Sequence, residues 1–231
     1  MNSLKETRRY VVHLSLDGMS GLGVVVPGHI LTCAHFFATV GVDHWIWLEV
    51  VGEISGEDKC VYYVQTLDSL MDFMVLGDNP LEQDVDSGSL IENIDPPLKP
   101  VRLVFSEKEA RVTIPVYYYA PDGTTPIHTI ATVHRDSPSI ALDHSVDKGS
   151  SGSPLFTANH KLIGIVLGQF KWGGVQPVQG HAIRIDQAAT GWLCDELGGF
   201  DEHRIRSEVA KGEESCASDP VISALVEVVR G

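Results

Sequence analysis

Short apolar runs separated by Gly, Pro, Asp and Asn turns dominate the 231-residue chain. Runs of this length, rich in Val, Ile and Tyr, predict strands rather than helices. Tyr10 to Leu16 (YVVHLSL) is such a run and ends at Asp17-Gly18, a strong turn dipeptide. Gly21 to Val26, the turn Pro27-Gly28 and then His29 to His35 give the pattern of a β-hairpin. Trp45 to Val51 and Val61 to Leu67 predict two more strands, with Gly52 to Lys59 as the polar turn between them. Trp45 and Trp47 stand two residues apart, which predicts one shared packing face. Asp72 to Leu76 is a short buried strand closed by Gly77-Asp78-Asn79-Pro80.

From Leu81 to Lys99 the chain turns acidic and loses periodicity, as a connector between lobes does. Beyond it, Ala110 to Ala120, Ile127 to Val133, Ser139 to Leu142, Pro154 to Phe156, Lys161 to Leu167 and Gln179 to Ile185 are strand-like. Tyr117-Tyr118-Tyr119 alternates faces within its strand, which predicts core-plus-surface packing rather than a binding patch. Two sets of about six short strands fit a pair of small β-barrels better than one sandwich. The expected division is a lobe over 1–95, a second over 96–199 and a charged tail over 200–231. Asp186 to Leu197 has helical spacing, Asp186 as a cap and Gly198-Gly199 as a stop. Ile222, Leu225, Val226 and Val229 mark one face of a further helix over Pro220 to Val229, which could dock on the domain or on a partner.

Composition narrows the function classes. A hydrophobic content of 43% supports a substantial core. Net charge is −14, from 31 Asp+Glu against 17 Lys+Arg, which argues against a nucleic-acid backbone binder. An acidic surface suits a basic partner or simply keeps the protein in solution. No apolar run approaches the ~18 residues of a membrane span. The polar start, Met1 to Tyr10, lacks the apolar middle of a secretory signal. Cys33, Cys60, Cys194 and Cys216 have no C-x-x-C spacing, so free thiols and a cytoplasmic location are expected.

Candidate chemistry centres on Lys148-Gly149-Ser150-Ser151-Gly152-Ser153-Pro154-Leu155-Phe156. Flanking glycines permit the strained turn that aims a hydroxyl and backbone amides at one point. A serine hydroxyl is a weak nucleophile and needs a base beside it. An imidazole can take its proton, and a carboxylate can fix the imidazole tautomer. His35 ends one predicted strand and Asp72 opens another, in the order His, Asp, Ser with spacings of 37 and 79 residues. Asp68 is a rival carboxylate, but no apolar run follows it directly. His13, His29, His44, His128, His134, His144, His160, His181 and His203 show no H-x-x-x-H pairing, so they are expected as surface or satisfied core histidines. Neither a metal nor a cofactor is predicted.

The blocks Val24 to His35, Asp72 to Leu76 and Gly149 to Leu155 resemble the three signatures of chymotrypsin-like serine proteases. Short loops and spacing are most similar to the compact bacterial branch, including the high-temperature-requirement proteases, and to some viral proteinases. The resemblance covers about residues 10 to 195. It implies an all-β fold of two six-stranded antiparallel β-barrels, here followed by a C-terminal helix and a short helical tail. It implies Ser151 as nucleophile, the only serine of its group in the family's x-Ser-Gly context, His35 as base and then acid, and Asp72 as orienting carboxylate. The N–H groups of Gly149 and Ser151 would form the oxyanion hole.

The same resemblance places the specificity pocket at Ser145, Val146 to Lys148, Leu167-Gly168-Gln169 and Gly180. Ser145 at its floor supplies no carboxylate for a basic side chain, so a small or apolar P1 residue (the one whose carbonyl is attacked) is expected. Asp147 is expected to point away. A polar P1 read by Ser145 or His181 competes with this. Departures from the family are informative. Ser150 stands where digestive enzymes have an Asp that pairs with a new N-terminus, so activation by N-terminal insertion is not expected. Cys33 replaces a small residue, and the usual disulfide partner beside the histidine is Phe36. Residues 201–231 follow Phe200, so no PDZ domain is expected after the second lobe. The leading expectation is a serine endopeptidase with a narrow protein substrate, with regulation by a partner through the tail as a further possibility. A viral polyprotein-processing proteinase and a catalytically latent binding module are the alternatives.

Overall fold

The computed structural model describes residues 4–37, 45–53, 56–68, 72–77, 96–170, 179–186 and 201–204. A short helix α1 (Leu4–Arg8) precedes the first barrel, made of β1 (Val11–Leu16), β2 (Met19–Val26), β3 (His29–Thr32), β4 (Trp45–Gly52), β5 (Gly56–Asp68) and β6 (Phe73–Gly77). These strands close in the order β1-β2-β3-β6-β5-β4 with antiparallel pairing throughout. β7 (Val101–Val104) lies between the barrels in sequence. The second barrel is β8 (Arg111–Tyr119), β9 (Pro126–His134), β10 (Ser139–Leu142), β11 (Pro154–Thr157), β12 (Leu162–Phe170) and β13 (Gln179–Arg184), closed as β10-β13-β12-β11-β8-β9. β14 (Asp201–Arg204) pairs in parallel with β7. The chain therefore forms the expected pair of six-stranded antiparallel barrels.

Several boundaries differ from expectation. The polar stretch expected as a turn over 52–59 is mostly strand, because β5 begins at Gly56 and pairs Glu57, Asp58 and Lys59 with Val51, Val50 and Glu49. Polar side chains do not prevent a strand whose backbone groups are satisfied by the ladder. β3 stops at Thr32, and a 3-10 turn over Ala34–Phe37 carries His35. Neither β7, whose Val-Arg-Leu-Val alternates over only four residues, nor β14, wholly polar, is expected from the sequence. Among the described residues no helix is long and apolar enough to cross a membrane. The side chains of Trp45 and Trp47, most of the 81–99 connector, and the helices expected after Asp186 and over Pro220 to Val229 lie outside the described residues.

Among the described residues two apolar clusters hold the fold. One fills the first barrel with Val12, Leu14, Leu22, Val24, Leu31, Leu48 and Val75, and continues across the seam to Tyr117, Tyr119, Phe156 and Ile165. The other fills the second barrel with Ile114, Val116, Tyr118, Val133, Leu155 and Val166. β8 is thus buried on both faces, which corrects the core-plus-surface expectation for Tyr117-Tyr118-Tyr119. Three buried phenols are tolerable because each hydroxyl has a partner. Thr7 of α1 bonds Tyr117 and Tyr119 at 3.0 and 2.9 Å, His160 Nδ1 bonds Tyr117 at 2.8 Å, and His144 Nε2 bonds Tyr118 at 2.9 Å. Burial, with the charge of Asp147 second, pushes Tyr118 up to about 12.

A buried ion pair braces the second barrel. Arg184 donates through Nε and Nη2 to both carboxylate oxygens of Asp186, at 3.0 and 2.9 Å, and each side chain is only 1% exposed. Arg184 Nη1 also donates to the carbonyls of His134, Arg135 and Ser137. Asp186, expected as a helix cap, also accepts the Leu103 N–H at 2.9 Å and so fastens β7 to this barrel.

Candidate active site

β3 and β6 are neighbours in the first barrel, with Thr32 registered opposite Met74. The residues just past one strand end and just before the other start therefore emerge side by side. These are His35 and Asp72. Asp72 takes a left-handed backbone (φ 53), and its carbonyl accepts the Ala34 N–H at 3.2 Å. Its Oδ1 accepts the His35 backbone N–H and its Oδ2 faces His35 Nδ1, both at 2.7 Å. A carboxylate beside Nδ1 keeps the proton of a neutral imidazole on that nitrogen and makes Nε2 the basic nitrogen. The His35 side chain is 43% exposed and that of Asp72 22%, so a ligand can reach the ring while the carboxylate stays shielded.

Ser151 stands on the loop between β10 and β11. Gly149 and Gly152 on either side have φ of 97° and 82°, backbone that favours glycine. The loop is stitched by Ser150 N–H to Asp147 O, Ser153 N–H to Ser150 O, and a reciprocal exchange with Val166 of β12. The Leu22 N–H of the first barrel donates to Ser151 O at 2.9 Å, so the serine sits on the seam between barrels. Gly152 must remain Gly, since a Cβ there would lie 1.8 Å from Leu22 O.

The serine hydroxyl donates to Leu167 O at 3.0 Å. Leu167 is free to accept because a β-bulge between Val166 and Gly168 leaves it out of the β12–β13 ladder. His35 Nε2 faces Cys33 Sγ at 3.7 Å instead of the serine. The Cys33 thiol is pushed well up by burial, and further by the Asp72 charge, so it is an S–H able to donate to that lone pair. Among the described residues the Gly149 and Ser151 N–H groups donate to no protein acceptor, which leaves two donors open to an incoming oxygen.

The other sequence-predicted positions fall as follows. Ser145, Asp147 and Lys148 are exposed, and the Val146 side chain is buried in the second barrel. Gly180 donates its N–H to His144 O at 2.8 Å, and Gln169 Nε2 donates to Val146 O at 2.6 Å. Gly168 approaches Ser151, since a Cβ there would lie 3.3 Å from the Oγ. His144 has both ring nitrogens engaged, with Thr129 and Tyr118, and burial holds its pKa below the ordinary value. His181 faces Ser139 at 3.4 Å and is likewise lowered by burial. Ser153 is structural, its Oγ accepting the Tyr119 N–H, whereas the buried Ser150 Oγ has no partner among the described residues. Sequence reasoning missed the Leu167 carbonyl as the serine's partner: Gly168 was a usable sign of a bulge, but not of which carbonyl the bulge would free. It noted Cys33 only as a substitution, although its place two before His35 was a usable sign.

Two closed barrels with this arrangement on their seam have the chymotrypsin-like serine protease fold. No protein-family model matches the sequence, and no curated protein matches it. Solved structures do match. The Rv3671c protease from M. tuberculosis, active form, is 19% identical with a TM-score of 0.53, covering 87% of this chain and 86% of its own. The MamO protease domain from Magnetospirillum magneticum is 15% identical with a TM-score of 0.53, covering 80% of this chain and 96% of that one. The serine endoprotease from Yersinia pestis is 19% identical with a TM-score of 0.53, covering 85% and 67%. Likeness at these identities establishes the shared fold.

Proposed function

We propose that the protein is a serine endopeptidase working through Ser151, His35 and Asp72. The observation that carries this is the carboxylate-locked imidazole of His35 on one barrel, with Ser151 fastened to the same seam by its Leu22 contact. In the reaction Ser151 Oγ leaves Leu167 O, attacks the scissile carbonyl carbon and passes its proton to His35 Nε2. Asp72 stabilises the imidazolium, and the Gly149 and Ser151 N–H groups receive the oxyanion, each such donor being worth about 10²–10³ in kcat. Collapse breaks the C–N bond, and His35 gives its proton to the departing amine. Water, deprotonated by His35, then attacks the acyl-enzyme and releases Ser151. The exposed Ser145 supplies no carboxylate, which supports small or apolar P1 residues.

A second reading, a latent binding module, draws on the Ser151–Leu167 hydrogen bond, which holds the hydroxyl off the imidazole. Incubating wild type and Ser151→Ala with a peptide library, and mapping products by mass spectrometry, separates the two. Cleavage by wild type alone supports the endopeptidase. Identical, uncleaved libraries support the binding module.

A further inference from the structure

We propose that Gln169 is a bar across the space between the β12 edge and the Val146 loop beside Ser151, restricting P1 to Gly, Ala or Ser; this rests on the endopeptidase reading above. At the β12 bulge, Leu167 O and Gly168 face the serine oxygen. The ladder resumes one residue on, with Gln169 registered opposite Gly180. From that station the Gln169 carboxamide crosses to the loop that carries Ser151 and donates to Val146 O at 2.6 Å.

Deeper in, the same walls meet again. A Cβ on Gly180 would lie 2.6 Å from Val146 Cγ2, and the Gly180 N–H is bonded to His144 O. Val146 cannot swing aside to make room, because its side chain is packed in the second-barrel core. The two walls are therefore joined at the exposed rim by Gln169 and closed inside by Val146 on Gly180. The bar acts only if a side chain of one or two heavy atoms, and no larger one, stops short of it. A branched or aromatic one must break the carboxamide bond and leave the Val146 carbonyl without that donor. His144 does not read a polar P1 side chain, since both its nitrogens are engaged.

The test compares full-length wild type, Gln169→Ala and Gln169→Glu on peptides with Ala, Val, Leu or Phe at P1. Gln169→Glu keeps the length but offers a carboxylate that cannot donate to Val146 O, so it separates the hydrogen bond from simple bulk. Wild type is expected to prefer Ala. Both variants are expected to raise kcat/KM for Leu and Phe, relative to Ala, by about tenfold or more. Fluorophosphonate labelling of Ser151 in wild type is measured alongside. A labelled wild type that cleaves after Phe as well as after Ala overturns the bar alone, as does a P1 profile unmoved in both variants. A wild type that neither labels nor cleaves overturns the endopeptidase reading, and the bar with it.

Discussion

On the first barrel, Asp72 holds His35 by ring and backbone together, and its own carbonyl is tied to Ala34. On the second barrel, Ser151 has its backbone fixed at Leu22 while its hydroxyl rests on Leu167 O, the residue left over at a bulge. On the proposed reading, one half of the site has its imidazole oriented before any substrate arrives. The other half has its main chain in place and its reactive atom satisfied elsewhere. Pre-organisation on that reading lies in the orientation of His35 by Asp72, while the Ser151 hydroxyl has still to leave Leu167 O and His35 Nε2 has still to leave Cys33.

Asp72→Asn is expected to have the largest effect. The amide cannot keep the His35 proton on Nδ1, so peptide hydrolysis should fall about 10⁴-fold with folding intact. A loss under tenfold would mean that the locked half contributes little. Next is Gly152→Ala, whose Cβ meets Leu22 O at 1.8 Å where φ is already +82°. It should lose more than about 4 kcal/mol in urea unfolding, because the seam under the serine must open.

Arg184→Met tests whether the serine's barrel is braced independently of the site. It strands Asp186, 1% exposed, without its counter-ion, and should cost about 3–5 kcal/mol. His144→Gln examines the same barrel through pH. The folded pKa of His144 lies below 6.5, chiefly through burial, so the unfolded chain binds more protons as pH falls past that value. Its contribution is complete above the unfolded pKa and lost on acidification. Urea midpoints at about pH 7.5 and about pH 5 should differ less in His144→Gln than in wild type. The smallest effect is expected at Cys33. Without the thiol, Cys33→Ala frees His35 Nε2 and should label at Ser151 a few times faster than wild type, with Cys33→Ser slower than both. Equal rates would remove Cys33 from the account of the first half.

The locked half was the more legible in sequence. His35 and Asp72 flank short apolar runs, and adjacent strands bring such ends together whatever the side-chain detail. The glycines around Ser151 announced its turn. What the serine hydroxyl faces depends on where β12 slips its register against β13; Gly168, with φ 129°, marks the slip within Leu162 to Phe170, but a glycine inside a strand does not say which carbonyl the slip frees. The three tyrosines of β8 defeated alternation for a related reason. Both faces of that strand are interior once the barrels pack, and the partners that make this possible, Thr7, His144 and His160, are remote in sequence. The strand over Gly56 to Lys59 was hidden by its polar side chains, and Arg184–Asp186 by the rule that charges lie outside.

The most direct test treats the folded full-length protein with a fluorophosphonate and locates the adduct by mass spectrometry, with Ser151→Ala beside it. The account predicts one adduct, on Ser151, absent from the Ser151→Ala protein. A folded wild type that takes up no label, or labels elsewhere, would contradict it, because His35 would then not be the base that activates Ser151.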